Sequence, residues 1–131
     1  MRVAVRGMTL IEVLVAMTIF AFGILGMLGM QARAISYYSD AKNRTDAVLL
    51  SEALINDMWV NRTNLATYAY GGGAAPTVLV GWVNEVQTAL PNGAATVAVT
   101  PATGTVQVTI RWTPPNGTAH QHTEIATIQN P

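Results

Sequence analysis

Residues 7–30 read "GMTLIEVLVAMTIFAFGILGMLGM", and this stretch decides how the chain is understood. Within residues 8–30 the only ionisable side chain is Glu12, and none occurs from Val13 onward. These 23 residues would form a helix roughly 34 Å long. That matches the hydrocarbon core of a bilayer, about 30 Å thick. The run is apolar all round, whereas the core helix of a small soluble domain keeps a polar face. A secretory signal would have a shorter apolar region followed by a small-residue cleavage site. The apolar stretch here is longer than that. The stretch therefore reads as a membrane span with one carboxylate at its edge.

That carboxylate is the informative residue. A charge at the centre of a membrane helix costs about 2.5–3.5 kcal/mol on insertion scales, and less near an end. Such a charge calls for a partner. The cations nearby do not orient the span: Arg2 and Arg6 precede it, while Arg33, Lys42 and Arg44 follow it.

The whole chain has 131 residues, enough for one domain, with seven basic and seven acidic side chains. Zero net charge provides no long-range field toward nucleic acid. After Arg33, four basic residues (Lys42, Arg44, Arg62, Arg111) face six acidic ones, so no basic stripe forms and no nucleic-acid partner is expected. There is no cysteine, which excludes disulfides and thiolate metal sites.

Helical character continues beyond the span, because residues 31–63 contain neither Pro nor Gly. Ala47, Leu50, Leu54, Ile55 and Met58 fall on one helical face, whereas upstream the same face carries Ser36, Asp40 and Asn43. One helix of about 50 residues is predicted, with a lipid-like zone, a polar zone and an amphipathic zone. "YAYGGGAAP" then breaks it as a flexible connection. "TVLV" (residues 77–80) reads as a short strand or extended piece. Trp82, Val86, Ala89 and Leu90 mark a short amphipathic helix ending at Pro91.

The remainder alternates with period two. Ala95, Val97 and Val99 form one set; Val106, Val108, Ile110 and Trp112 a second; His122, Glu124, Ala126 and Ile128 a third. "PATG" and "PPNG" separate them as turns. This predicts an antiparallel sheet with one covered face, and the 47–58 stripe is its obvious cover. The expected fold class is α+β: a long N-terminal α-helix packed by its C-terminal half on a small antiparallel β-sheet.

At residues 7–12, "GMTLIE", the chain resembles the processing signal of type IV pilins and pseudopilins. That resemblance implies a leader of residues 1–7, prepilin peptidase cleavage between Gly7 and Met8, N-methylation of Met8, and Glu12 as the acid at the fifth mature position. It also implies a cytoplasmic N-terminus, a single pass through the bacterial inner membrane, a periplasmic C-terminal domain and later residence in a pilus. Met8 stands where most pilins have Phe, a variant frequent among some minor pseudopilins. After cleavage the Met8 amine could pair with Glu12, in the same chain or in a neighbour, and pairing lowers the cost of two charges in apolar surroundings.

The pattern "LIEVLVAMTIFAFGILGMLGMQARA", followed by "LPNG" and "VQVTIRW", further resembles minor pilins of the type IV pilus modification protein (PilV) family. The implied organisation is a leader at 1–7, a transmembrane and filament-core helix at 8–30, a polar then amphipathic continuation at 31–67, and the β-sheet part of the globular pilin domain at 68–131. The implied role is a minor pilin in assembly, priming or tip formation of a type IV pilus. The alternative is a GspI-like minor pseudopilin of type II secretion. Implied partners are prepilin peptidase, other major and minor pilins, and an inner-membrane assembly platform. No enzyme chemistry and no cofactor are expected.

Other signals carry less. Gly23, Gly26 and Gly29 recur every three residues, which suits either close helix packing or local bending. His120 and His122 would share a strand face, but without a third ligand they read as solvated histidines and no metal site is expected. The Asn-x-Thr triplets at Asn43, Asn61 and Asn116 read as chance matches to a glycosylation pattern. Asp46, Asp57 and Glu85 form no catalytic pattern.

Overall fold

The computed structural model describes residues 9–115 and 117–129. The first helix, α1 (Leu10–Val60), is 51 residues long and unbroken. A second α-helix and three strands follow: α2 (Val80–Ala89), β1 (Ala94–Thr100), β2 (Thr105–Trp112) and β3 (His120–Thr127). The chain divides into two compact units, Met1–Ser39 and Asp40–Pro131.

In the first unit every described residue is exposed, from Thr9 to Ser39. The large apolar side chains among them include Leu14, Phe20, Phe22 and Leu25. A helix suits this segment because it satisfies its backbone internally, the requirement that lipid imposes. The hydroxyl of Thr18, within the apolar run, is also satisfied locally, donating to the Leu14 carbonyl at 2.8 Å.

In the second unit the C-terminal part of α1 packs on the sheet. Ala47, Leu50, Leu54, Ile55 and Met58, the stripe read from the sequence, are all buried. They share one core with Ala95, Val97, Val106, Val108, Ile110 and Trp112 from the sheet and with Leu79, Val83, Val86 and Leu90 around α2. The indole nitrogen of Trp82 donates to the Leu50 carbonyl at 2.9 Å and ties α2 to α1. Val83, absent from the predicted stripe, is more deeply buried than Trp82.

The sheet has the order β1-β2-β3, antiparallel throughout. Its inward positions are those expected from alternation. Gly104 closes the β1–β2 turn at φ 66°, and any side chain there would run into the Ile128 carbonyl. Glycine is therefore required twice over at that turn.

Two expectations need correction. The "TVLV" piece is not a strand. Thr77–Leu79 forms a 3-10 turn that leads into α2, with Leu79 N–H donating to the Pro76 carbonyl at 2.8 Å. Pro76, with φ already fixed, sits at the N-cap and favours helix entry over extension. Second, within the expected 31–67 continuation the α-helix stops at Val60, and the chain goes on as a 3-10 helix over Arg62–Tyr68. No glycine marks this stop. It is held by side chains: the buried Tyr68 hydroxyl donates to Asp57 Oδ2 at 2.6 Å, and Asn61 Nδ2 donates to Tyr68 Oη at 2.9 Å. Burial, reinforced by the bond to Asp57, raises the Tyr68 phenol above its ordinary pKa and keeps it a donor.

The glycine segment is less free than its composition suggests. Tyr70 exchanges two backbone hydrogen bonds with Val97, each 2.8 Å, so the chain adds a one-residue bridge to the outer edge of β1. Gly72, at φ 95°, then lies against Thr96.

The core position of Leu54 makes a direct test possible. A chain truncated to begin at Gln31 should fold without lipid, since its apolar stripe already has a sheet to cover. Removing a buried Leu costs about 2–5 kcal/mol, and an unpaired buried charge adds to that. Against a total stability of about 5–15 kcal/mol, Leu54→Asp should be largely unfolded by thermal denaturation, whereas Ser36→Asp should melt with the parent. Equal melting temperatures for Leu54→Asp and the parent would show that another face of α1 covers the sheet.

Candidate functional site

Thr9 is the last residue before the helix, and its carbonyl accepts from Glu12 N–H (3.0 Å) and Val13 N–H (3.3 Å). Glu12 thus sits in the first turn of α1, exposed. A carboxylate there is favoured by the unsatisfied N–H groups and the positive end of the helix dipole, a contribution of about 0.3–1 kcal/mol. The sequence-predicted cleavage and methylation residues, Gly7 and Met8, lie outside the described residues, as does the whole 1–7 leader.

Along α1, a Cβ added at Gly23, Gly26 or Gly29 would meet no atom within 4 Å. Nothing within the chain demands glycine there, although each costs about 1 kcal/mol of helix propensity relative to alanine. The polar zone is bound locally by two i,i+4 pairs: Asp40 Oδ2 accepts from Arg44 Nε at 3.1 Å, and Asp46 Oδ2 from Lys42 Nζ at 2.5 Å. Exposed pairs of this kind contribute about 0.3–0.5 kcal/mol each.

The histidines are not the solvated pair expected from the sequence. Both are half-buried in a polar seam between α1 and β3. His120 Nε2 lies 3.5 Å from Asp40 Oδ1, and its ring stacks on the buried Trp112 at a centroid distance of 5.7 Å. His122 Nε2 is buried without a hydrogen bond and lies 3.8 Å from Glu124 Oε2. Glu124 Oε2 in turn accepts from the buried Ser51 hydroxyl at 2.6 Å. Asn43 is also buried on this side of α1, which removes it as a modification acceptor. Asp40 and Asn43, in the polar zone expected from the sequence, are half-buried and buried respectively. Continuing the buried face of α1 back by one turn, against the inward positions of β3, identifies the seam. Among the described residues no group of three or more His, Cys, Asp or Glu side chains is disposed to hold a metal ion.

Comparison with known proteins bears on the N-terminal segment. Residues 2–28 match the prokaryotic N-terminal methylation motif. No curated protein and no solved structure matches the chain. The motif, the long apolar helix and the small antiparallel sheet together support a type IV pilin-like chain. A motif of this kind implies processing by a prepilin peptidase, and the apolar first half of α1 fits anchoring in a membrane.

Glu12→Ala separates the two roles open to this carboxylate. Membrane insertion, read by carbonate extraction, should be unchanged or improved, because a charge leaves an apolar segment. If Glu12 is the charge partner in a filament, incorporation into sheared filaments should fall about a hundredfold or more, the scale of leaving one member of a desolvated ion pair alone. Normal incorporation would restrict Glu12 to helix capping and headgroup contact.

Proposed function

We propose that this chain is a minor pilin, a low-abundance structural subunit that takes part in assembly, priming or tip formation of a type IV pilus. The match of residues 2–28 to the methylation motif, continuous with an apolar helix, carries this reading. In this account residues 1–7 are a leader held at the cytoplasmic face by Arg2 and Arg6. Prepilin peptidase cuts after Gly7, where a side chain would obstruct the site, and the new Met8 amine is methylated. The Met8 ammonium and the Glu12 carboxylate, four residues apart in sequence, then form a charge pair within or between subunits. Pairing between subunits sets the axial register as the helix leaves the inner membrane for the filament. The domain formed by residues 40–131 faces the periplasm.

Resemblance beyond the motif favours the type IV pilus modification protein (PilV) group. Met8 at the first mature position favours a second reading, a GspI-like minor pseudopilin of type II secretion. Both place the chain among sibling pilins or pseudopilins on an inner-membrane assembly platform.

Processing is the test. The intact mass of the protein from native membranes should correspond to a chain beginning at N-methylated Met8, and Gly7→Val should leave it beginning at Met1. A mature chain that still begins at Met1, or that is cut beyond Met30, would overturn the reading.

A further inference from the structure

We propose that the free edge of β3 is a docking site for one extended segment of a sibling subunit, which adds to the sheet as a fourth strand. The register identifies the groups involved. Ile128 N–H donates to the directly opposite Gly104 carbonyl at 2.8 Å, and the same pairing continues with Thr105 opposite Thr127 and Val106 opposite Ala126. In an antiparallel ladder, hydrogen-bonded pairs alternate with non-bonded ones. His120, His122, Glu124 and Ala126 therefore bond to β2, while the N–H and C=O groups of Gln121, Thr123, Ile125 and Thr127 point to the open edge. Among the described residues none of these four has a backbone partner on that side. The opposite edge of the sheet is different, since Tyr70 already bridges Val97 there.

The edge lacks most of the features that discourage pairing. Its four outward-bonding residues are exposed and uncharged, with no proline and no bulge, and Ile125 at their centre is 64% exposed. An added strand would bring its own side chains within about 5 Å of those on β3. On the outer face it would meet Ile125 with an apolar residue. On the inner face it would meet the part-exposed Glu124 with a basic or hydroxyl side chain. This is β-strand addition, in which main-chain bonds supply affinity and alternate side chains supply selectivity.

A second copy of this chain fits poorly. Antiparallel pairing of β3 with itself uses a two-fold axis along the sheet normal, which reverses α1 in the second copy. Two chains anchored in one membrane run the same way. The self-pairing register that uses all four outward residues also sets Glu124 opposite Glu124, and like charges directly opposed are unfavourable. With antiparallel self-pairing disfavoured, we assign the occupant to a segment of a different subunit, an assignment that rests on the filament reading above.

The absence of native cysteine makes the test clean. Thr123→Cys and Ile125→Cys are introduced singly into the full chain in its own cells and labelled with a short maleimide–diazirine cross-linker. The products are then mapped by peptide mass spectrometry. Strand addition predicts that the two positions cross-link to residues two apart in one segment of one sibling subunit. Thr123→Pro removes an outward N–H without touching the β2 ladder. Combined with Ile125→Cys, it should reduce that product about tenfold, and Ile125→Lys should reduce the product from Thr123→Cys. Cross-links scattered over several proteins, absent, or undiminished by either edge variant would overturn the proposal. The N-terminal mass of the same variants reports processing separately, so failure at the edge is distinguishable from failure of the pilin reading.

Discussion

One constraint governs this molecule: a single continuous helix has to serve two different environments. Over residues 10–39 every side chain of α1 is exposed, and most of the first 21 are apolar. From Asn43 to Met58 the same helix buries one face and leaves the other in water. No proline interrupts it, and its three glycines leave it helical. Lipid requires a closed backbone hydrogen-bond system, whereas a sheet requires a matching apolar stripe, and an α-helix satisfies both. The remaining elements are arranged around the second half of that helix.

Much of this was legible in the sequence because it depends on periodicity. The stripe of Ala47, Leu50, Leu54, Ile55 and Met58 and the alternating positions of the three strands follow directly from side-chain direction in helices and strands. What was not legible depends on long-range partners. The end of α1 at Val60 has no local signal, since Asp57 and Asn61 stop the helix through Tyr68, several residues downstream. Residues 77–80 are rich in β-branched side chains, yet Pro76 and the burial of Leu79 turn them into the approach to α2. The motif at residues 7–12 was legible as a pattern, while Gly7 and Met8 themselves fall outside the described residues.

The polar seam illustrates the same division. Asp40, Asn43 and Ser51 on α1 look like solvated helix residues, and His120, His122 and Glu124 look like a polar strand face. Their juxtaposition makes a half-buried interface in which Ser51 and Glu124 are paired at 2.6 Å and His120 is pinned between Trp112 and Asp40. It lies where α1 passes from its exposed half to its packed half. Apolar stripe and polar seam together define which side of α1 is committed to its own sheet. Leu49, Val60 and the side chains of residues 10–39 remain exposed.

The central claim is this two-environment helix, and cysteine accessibility along it is the most direct test. Single cysteines are placed at each position from 10 to 60 in the full chain, in native membranes, and probed with a membrane-impermeant maleimide. The account predicts uniform protection through residues 13–30, general reactivity near residues 33–39, and then protection with a helical period at 47, 50, 51, 54, 55 and 58. Helical-period reactivity within residues 13–30 would contradict it, because that segment would then be an amphipathic helix packed against protein and not a span surrounded by lipid.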